Sequence, residues 1–399
     1  MSTCVSNHVD GIDMTFSPAI AFNELPRLPP AAELETRAVL KACIFARAAL
    51  AELNAATDLI PNPSILINTI PILEARASSE IENIVTTSDE LFRFSTDEGA
   101  ATDAATKEAL RYRTALWRGY EQLKARPVST NLAVVVCRVL RGIQTDIRKI
   151  PGTTLRNMAT EEAIYTPPDG EERLRSLMAN WETFLHSDNG LDPLVKMAVG
   201  HYQFEAIHPF EDGNGRTGRI LNLLFLAEAG LLRQPVLYLS GAITRAKSEY
   251  YRLLLEVSTE AQWEPWILYM LKAVGETSRW TLDKIKAMRQ LLEAATEYVR
   301  AHEAKIYSRE LIDVIFEQPY CRIGNLVDAG IAKRQTASEY LTRLAAIGVL
   351  TSMQSGREKL FIHRALLDLL AAETNEVSAY GRRRGRIGTA AGPHRRRRR

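Results

Sequence analysis

One short segment of the chain concentrates residue types that perform chemistry. Residues 206–220, AIHPFEDGNGRTGRI, hold one histidine, two acids, three glycines, one asparagine and two arginines. The imidazole of His208 has an ordinary pKa near neutrality, so it can accept a proton at physiological pH. This mixture is unusual for a purely structural helix or strand, and it predicts a site of proton transfer.

The residues that follow His208 suit a bound polyphosphate. Gly213 and Gly215 permit positive φ and let a ligand approach the main chain. A helix beginning at about residue 214 would offer free N–H groups and the positive end of its dipole to an anion. Arg216 and Arg219 are three residues apart, share one helix face and suit phosphate oxygens. Each feature alone is more often structural, but their order predicts a nucleoside triphosphate site.

Asp212 predicts a metal ion at the same site. Its carboxylate is a hard oxygen ligand, which suits Mg²⁺ beside phosphates. A calcium loop is disfavoured because the alternating oxygen ligands and the closing glutamate are missing. A zinc site at His208 and Asp212 lacks an obvious third ligand nearby.

The elements that must position these residues are helices. Apolar residues recur at steps of three and four in residues 31–56, and prolines precede a similar pattern in residues 61–84. Further helices are predicted near residues 103–125, 131–149, 171–186, 193–206, 214–229, 247–257 and 260–274. Because Pro209 disfavours helical geometry at His208, we expect His208 on a loop where a helix ends. Residues 157–170 predict a short hairpin.

The pattern changes beyond about residue 290. Two helices, a longer helix and two short strands joined by SGRE give the layout of a winged helix-turn-helix. Such a domain could place residues 332–344 in the major groove of DNA, or it could serve for docking or dimerisation. Only Lys333, Arg334 and Arg343 are basic on that helix, with Glu339 among them, which is little charge for binding phosphates.

Composition indicates an ordinary soluble protein. The 399 residues are 46% hydrophobic and 25% charged, which fits two or three globular domains. The four cysteines have no CxxC spacing and predict neither a disulfide framework nor a zinc site (Cys4, Cys43, Cys137 and Cys321). No signal-peptide pattern begins the sequence, and no apolar run is long enough to span a bilayer, so we expect a cytoplasmic protein.

The charge is unevenly distributed. Residues 382–399 hold nine arginines and no acid, whereas the whole chain has a net charge of +2. The remainder therefore carries −7 and is mildly acidic. The basic tail is expected to be disordered, and its role is not apparent from the sequence.

The segment HPFEDGNGR, residues 208–216, resembles the signature HPFx(D/E)GNGR of Fic-domain proteins at every defined position. Its flanks in residues 191–226 resemble the helix–loop–helix core of that family. The resemblance extends from about residue 20 to residue 375. It implies an all-α fold: a Fic helical core with a small β-hairpin flap, an N-terminal helical region and a C-terminal winged helix-turn-helix.

The resemblance also implies protein adenylylation. AMP would move from ATP to a Tyr, Thr or Ser hydroxyl of a target protein, or of the chain itself, and pyrophosphate would leave. By position in the signature, His208 would deprotonate the attacking hydroxyl. Asp212 would hold Mg²⁺ between the α- and β-phosphates.

The remaining signature residues would bind the nucleotide. Gly213, Asn214 and Gly215 would form an anion hole for the α- and β-phosphates. Arg216 would bind on the β-phosphate side and Arg219 would bind the γ-phosphate. This agrees with phosphoryl-type transfer in general, which depends on positioning and charge neutralisation.

Three further assignments follow from the resemblance. Phe210 would anchor the loop in the core. Residues 157–168 would form the flap that aligns the target by strand-like pairing. Tyr250 and Tyr251 resemble aromatic residues near the adenine, although a place in the helical core is equally compatible with them.

A second family pattern, (S/T)xxxE(G/N), matches Ser78, Glu82 and Asn83. Ser78 and Glu82 are four residues apart and share a helix face. In the family this is an inhibitory helix whose glutamate pairs with the second signature arginine, here Arg219, and denies it to the γ-phosphate. The alternative is an exposed acid on an amphipathic helix.

Four regions are expected. They are an N-terminal helical region (1–105) with the inhibitory helix (78–83), a Fic core (106–285), a winged helix-turn-helix (290–376) and a basic tail (377–399). The resemblance implies an autoinhibited adenylyltransferase that uses ATP and Mg²⁺. The alternatives are a nucleotide-sensing regulator that binds DNA and a Fic enzyme that removes AMP. A homodimer is also compatible with the sequence.

Overall fold

The computed structural model describes residues 5–9, 12–95, 98–157, 160–355, 358–377 and 380, and most of them are helical. The predicted class is confirmed: a helical core, a small β-hairpin and a C-terminal winged helix. Residues 378, 379 and 381–399, which make up most of the predicted basic tail (377–399), lie outside the described residues.

The N-terminal region begins with an antiparallel hairpin that the sequence did not predict, and continues as helices. Its elements are β1 (Val5–Val9), β2 (Ile12–Phe16), α1 (Arg37–Thr57), α2 (Pro63–Ile81), α3 (Ser88–Phe94) and α4 (Ala104–Leu123). Phe16 ends the hairpin in the core, where its ring stacks on Tyr165 with the centroids 6.1 Å apart.

Helix α2 carries the predicted inhibitory residues at its C-terminal end. Asn62 caps its start by accepting the N–H of Ser64 at 3.0 Å, and Pro63 occupies the first turn, where its missing N–H costs no bond. The helix stops before Asn83, whose φ of 61° is left-handed. Glycine and asparagine are the residues that adopt this geometry most easily, which explains the G/N choice in the inhibitory pattern.

The central region is built of helices around a short hairpin. Its elements are α5 (Thr130–Arg141), β3 (Leu155–Arg156), β4 (Ala163–Tyr165), α6 (Glu171–His186), α7 (Pro193–Ile207), α8 (Asn214–Glu228), α9 (Leu239–Arg245) and α10 (Lys247–Glu260). Helix α7 is almost wholly buried and packs against α6 and α8. A hairpin of β3 paired with β4 is present, but β3 lies just before the predicted range of 157–170. Residues 158 and 159 lie outside the described part of the chain.

Helix α5 is shorter than its predicted extent of 131–149. Gly142 has a φ of 67°, and its N–H is donated to the carbonyl of Arg138, so the helix closes with a left-handed cap. The residues after Gly142 leave the helix and reach the loop that carries His208.

One long helix, α11 (Trp263–His302), replaces the predicted helix ending near residue 274. Gly275 lies inside this helix at a close approach to α1, where a side chain would collide with the ring of Phe45. The hydroxyls of Thr277 and Ser278 donate hydrogen bonds to the carbonyls four residues earlier, at 2.6 and 2.7 Å. Both polar groups therefore have hydrogen-bond partners inside the helix. The predicted boundary at residues 286–289 therefore lies within α11.

The C-terminal region has the predicted winged-helix order with one additional strand. Its elements are α12 (Arg309–Glu317), β5 (Tyr320–Cys321), α13 (Ile323–Asp328), α14 (Arg334–Ala346), β6 (Thr351–Ser355), β7 (Glu358–Ile362) and α15 (Arg364–Ala371). The three strands form an antiparallel sheet in the order β5–β7–β6. Gly356 and Arg357 of the SGRE turn lie outside the described residues.

This region is docked on the N-terminal helices. The hydroxyl of Tyr320 is donated to Asp89 of α3 at 2.8 Å, and Asn62, at the start of α2, donates its amide to Glu317 at 3.0 Å. Helix α15 also packs on α3. The winged helix therefore touches the helix that carries the inhibitory pattern.

Helix α14 offers little positive charge to DNA. Arg343 donates its Nε to Glu303 at 3.0 Å and faces Glu339 at 3.8 Å, whereas Lys333 and Arg334 are exposed. Among the described residues, no helix is both long and apolar enough to cross a membrane.

Candidate active site

The predicted base lies where α7 ends. His208 has a φ of 50° and a ψ of 60°, and its N–H is donated to the carbonyl of Phe204 at 3.0 Å. Helix α7 cannot continue because Pro209 follows. His208 therefore lies on a loop between α7 and α8, as predicted, in a left-handed conformation that is uncommon for a residue other than glycine.

Arg148, which the sequence did not indicate, holds this loop. Its Nε donates a hydrogen bond to the carbonyl of His208 at 2.8 Å. Its backbone N–H donates to the carbonyl of Pro209, also at 2.8 Å. It donates further to the carbonyl of Pro168, just after the hairpin. The Arg148 side chain is buried, so backbone carbonyls stabilise its charge. One guanidinium thus joins the loop of His208 to the end of the hairpin segment.

His208 is uncharged in this environment. Burial, and then the positive charge of Arg148, lower its pKa to about 4, while Glu82 and a backbone contact with Glu205 oppose the shift. The imidazole is therefore neutral at physiological pH and available to accept a proton.

The loop after His208 is closed by Asn214 and Phe210. The Asn214 side chain accepts the N–H of Phe210 and donates to its carbonyl, both at 2.8 Å. Phe210 is fully buried, as predicted for an anchor. The side chain of Asn214 therefore fixes the loop, and only its backbone N–H remains to face an anion.

The start of α8 is an open helix end. Gly213 is its N-cap, with a φ of 83° and no side-chain cap. The first intrahelical bond runs from the N–H of Thr217 to the carbonyl of Gly213, so the N–H groups of residues 214–216 precede the first helical bond. Such an end binds anions.

Asp212 lies exposed beside this helix end. Its Oδ1 accepts the N–H of Gly213 at 2.6 Å, and its Oδ2 forms an ion pair with Arg141. A guanidinium therefore already occupies the place of a cation at this carboxylate. No group of three or more His, Cys, Asp or Glu residues in the described part of the chain could hold a metal ion. A magnesium ion at Asp212 would thus take most of its ligands from nucleotide and water, which is how Mg²⁺ commonly binds.

Arg219 is enclosed by the end of α2. Its Nε donates a hydrogen bond to Oγ of Ser78 at 2.8 Å. Its Nη2 donates to the Ser78 carbonyl at 3.0 Å and to Oε1 of Glu82 at 2.7 Å. Burial disfavours the charged form of both residues, but their mutual attraction outweighs it. The pKa of Glu82 is therefore lowered and that of Arg219 is raised. The structure therefore brings together Ser78, Glu82 and Arg219 as the sequence predicted.

The Glu82 carboxylate also covers the glycine turn. A methyl group placed on Gly215 would collide with Oε1 of Glu82 and lie 3.0 Å from Nη1 of Arg219. A negative group thus already lies against the backbone where the predicted anion hole begins. Asn83 helps to hold this end of α2, since its Oδ1 accepts from Lys247 at 3.1 Å.

Arg216 has a partner that the sequence did not predict. Its Nη1 donates a hydrogen bond to Oε1 of Glu108, on α4, at 2.6 Å. Arg216 and Arg219 are both buried, and each is paired with an acid from the N-terminal helices.

The two predicted adenine residues have different surroundings. Tyr250 is buried, and its hydroxyl is bonded to Nε2 of His201 at 2.8 Å, so it belongs to the core. Tyr251 is 44% exposed and packs edge-on against Tyr250 at 5.2 Å. The pKa of its hydroxyl is raised by burial and then by the charge of Glu82, which indicates that the hydroxyl lies near Glu82. Of the pair, Tyr251 is the one accessible to a ligand.

Glu205 is a further acid beneath the site. Burial raises its pKa to about 8, an effect that Arg219 partly offsets. Its Oε1 lies 3.9 Å from Nδ1 of His201. Its position three residues before His208 was the only signal in the sequence that could have indicated it.

Comparison with protein families identifies three matches along the chain. Residues 40–121 match the N-terminal domain of the Fic/DOC family, and residues 135–226 match the Fic/DOC family domain. Residues 291–366 match the C-terminal domain described as protein adenylyltransferase SoFic-like. The second match contains His208 and both arginines.

Curated proteins named protein adenylyltransferase Fic resemble part of the chain. The protein from Drosophila grimshawi is 31% identical over 139 residues, which are 34% of this chain and 27% of the relative. That from Drosophila mojavensis is 34% identical over 139 residues, 34% of this chain and 26% of the relative. The match thus spans about a quarter of the length of these relatives.

A solved structure shares the fold. The crystal structure of a Fic family protein from Desulfovibrio desulfuricans G20 aligns with a TM-score of 0.53 and 20% identity, covering 84% of this chain and 98% of that one. At this identity the likeness concerns the fold alone.

Proposed function

We propose that this chain, in which two Fic/DOC family domains are followed by a SoFic-like C-terminal domain, is a protein adenylyltransferase. It transfers AMP from ATP to a Tyr, Thr or Ser hydroxyl of a target protein, or of the chain itself. In its resting state it is inhibited by Glu82.

The observation that carries the proposal is the position of the Glu82 carboxylate. It lies against Gly215 and the buried Arg219, beside the open N-terminus of α8. A site that accommodates one carboxylate with backbone N–H groups and a guanidinium has the chemistry to bind phosphate oxygens. The same observation supports inhibition, since an acid and a phosphate cannot occupy one place.

The reaction assigns each group a part. The target hydroxyl oxygen attacks the α-phosphorus, its proton passes to the imidazole of His208, and the bond to the β-phosphate oxygen breaks as pyrophosphate leaves. His208 suits this step because it is neutral and is held at a fixed backbone position by Arg148. Arg216 and Arg219 stabilise negative charge on the β- and γ-phosphates.

Asp212 would hold Mg²⁺ in this reaction. The ion would neutralise phosphate charge and orient the α-phosphate, and Asp212 would exchange the guanidinium of Arg141 for it. The exposed position of Asp212 allows this exchange without rearrangement of the core.

The test is transfer of label from α-labelled ATP with Mg²⁺ to proteins of a cell lysate and to the chain itself. Glu82→Gly should label strongly, and Glu82→Gly with His208→Ala should not label, although both should bind ATP. The phosphates are held by residues 213–219, so loss of the base leaves binding intact. Equal labelling by the two variants would contradict the proposed base.

A further inference from the structure

The pairing of Arg216 with Glu108 is unusual in its geometry. The Arg216 side chain is 3% exposed, whereas that of Glu108 is 31% exposed. Nη1 of Arg216 and Oε1 of Glu108 are 2.6 Å apart, a short charge-assisted bond. A buried guanidinium thus receives its compensating charge from an acid at the edge of the site, on a different helix.

Only part of Arg216 is used by this pair. A guanidinium has five N–H donors, and Glu108 accepts at one terminal nitrogen. The Nε of Arg216 is buried without a hydrogen-bond partner among the described residues. A buried donor without an acceptor is costly, so the arrangement favours an oxygen ligand at this nitrogen.

Glu108 does not take the place of the Glu82 carboxylate. The atoms nearest to the face of Gly215 belong to Glu82 and Arg219. Glu108 instead extends from the first turns of α4 to the far end of the Arg216 side chain. An acid in that position fixes the guanidinium without occupying the anion site.

We infer that Glu108 is a positioning residue for the transfer reaction: it holds Arg216 so that its remaining N–H groups meet the β-phosphate. The inference rests on the proposed function. Charge accumulates on the pyrophosphate as it leaves, so a correctly oriented Arg216 acts both on bound nucleotide and, more strongly, in the transition state.

The experiment uses the full chain with Glu82→Gly, so that the site is open. Glu108→Gln keeps the shape and an acceptor but removes the charge, and Glu108→Ala removes both. Label transfer from ATP should be fastest with Glu108, slower in Glu108→Gln and slowest in Glu108→Ala. In Glu108→Ala, kcat should be reduced by up to about a hundredfold, as for a misplaced catalytic contact. The affinity for Mg²⁺–ADP, measured by calorimetry, should fall by a smaller factor, about tenfold.

Two controls separate positioning from general damage. Glu121→Ala removes another acid of α4, whose exposed side chain lies 3.5 Å from Arg118, and should change neither quantity. In an Arg216→Ala background, Glu108→Ala should weaken ADP binding no further, because the two residues act as one unit. Thermal unfolding would verify that each variant is folded.

Both readouts can overturn the inference. If Glu108→Ala transferred AMP faster, Glu108 would hold Arg216 away from its active position. If the affinity for ADP were unchanged, the pair would have only a structural role. Calorimetry does not depend on transfer. If the Glu82→Gly protein fails to label anything, the proposed function fails, while ADP binding still decides whether Glu108 orients Arg216.

Discussion

Replacement of Glu82 by glycine should accelerate the proposed transfer of AMP. Arg219 makes three hydrogen bonds to the end of α2, two to Ser78 and one to the Glu82 carboxylate at 2.7 Å. The variant loses only the last of these. Arg219 then stays bonded to Ser78, and the N–H of Nη2 that faced Glu82 becomes available to a phosphate.

The size of the effect follows from the bond that changes partner. A hydrogen bond to a charged group contributes about 1.5–3 kcal/mol, and roughly 1.4 kcal/mol corresponds to a tenfold change in rate. Release of Arg219 should therefore accelerate labelling by about ten- to a hundredfold. The acceleration should lie toward the upper end, because the carboxylate over Gly215 is removed as well.

The same change should lower stability without nucleotide. Breaking a buried ion pair costs about 3–5 kcal/mol, and since the Glu82 side chain is 32% exposed, the loss should lie at or below that range. Saturating Mg²⁺–ATP should restore much of the loss, because phosphate replaces the carboxylate beside Arg219. Faster transfer, lower stability and a larger stabilisation by ATP should therefore appear together.

Initial labelling rates and thermal unfolding with and without Mg²⁺–ATP would measure these effects. Glu80→Gly is the control, since it removes an exposed acid and introduces glycine two residues earlier, in the last turn of α2. Glu82→Gly with Arg219→Ala should return to a low rate, because the liberated group is gone. If Glu82→Gly is no faster than the unaltered chain, or if the double variant is as fast as Glu82→Gly, then the contact of Glu82 with Arg219 does not inhibit transfer.

Two further predictions concern the metal and the base. Asp212→Ala should remove most transfer activity and its dependence on Mg²⁺, measured by labelling across Mg²⁺ concentrations; full activity in the presence of a chelator would refute the assignment. The His208 imidazole should titrate near the pKa of about 4 that burial and Arg148 impose, rather than near 6.5, the usual value. It should therefore stay neutral as the pH falls from 7.5 to 5.5, and a midpoint above 6 in NMR spectra assigned with His208→Ala would contradict this environment.

The sequence was most informative where local chemistry dictates structure. Pro209 ends α7 and leaves His208 on a loop, and the glycines open the start of α8. The spacing of Ser78 and Glu82 placed both on one helix face, and the structure brings both to Arg219. In each case short-range geometry decides the outcome, so it can be inferred from adjacent residues.

Contacts between distant segments could not be inferred in this way. Glu108 precedes Arg216 by 108 residues, and Arg148 reaches the carbonyl of His208 across 60. On a single sequence, one acid in an amphipathic helix is indistinguishable from any other. The end predicted near residue 274 was wrong for a similar reason: the contact of Gly275 with the ring of Phe45 on another helix cannot be inferred from adjacent residues.

The continuous helix α11 limits how the C-terminal domain can be exchanged between proteins. An α-helix turns by about 100° and rises about 1.5 Å for each residue. Insertion or deletion of a single residue within α11 would therefore swing everything after it around the helix axis. The bonds of Tyr320 to Asp89 and of Glu317 to Asn62 would then be out of register. Recombination at this junction preserves these contacts only when it preserves helical phase, so the C-terminal region cannot be exchanged independently of the length of α11.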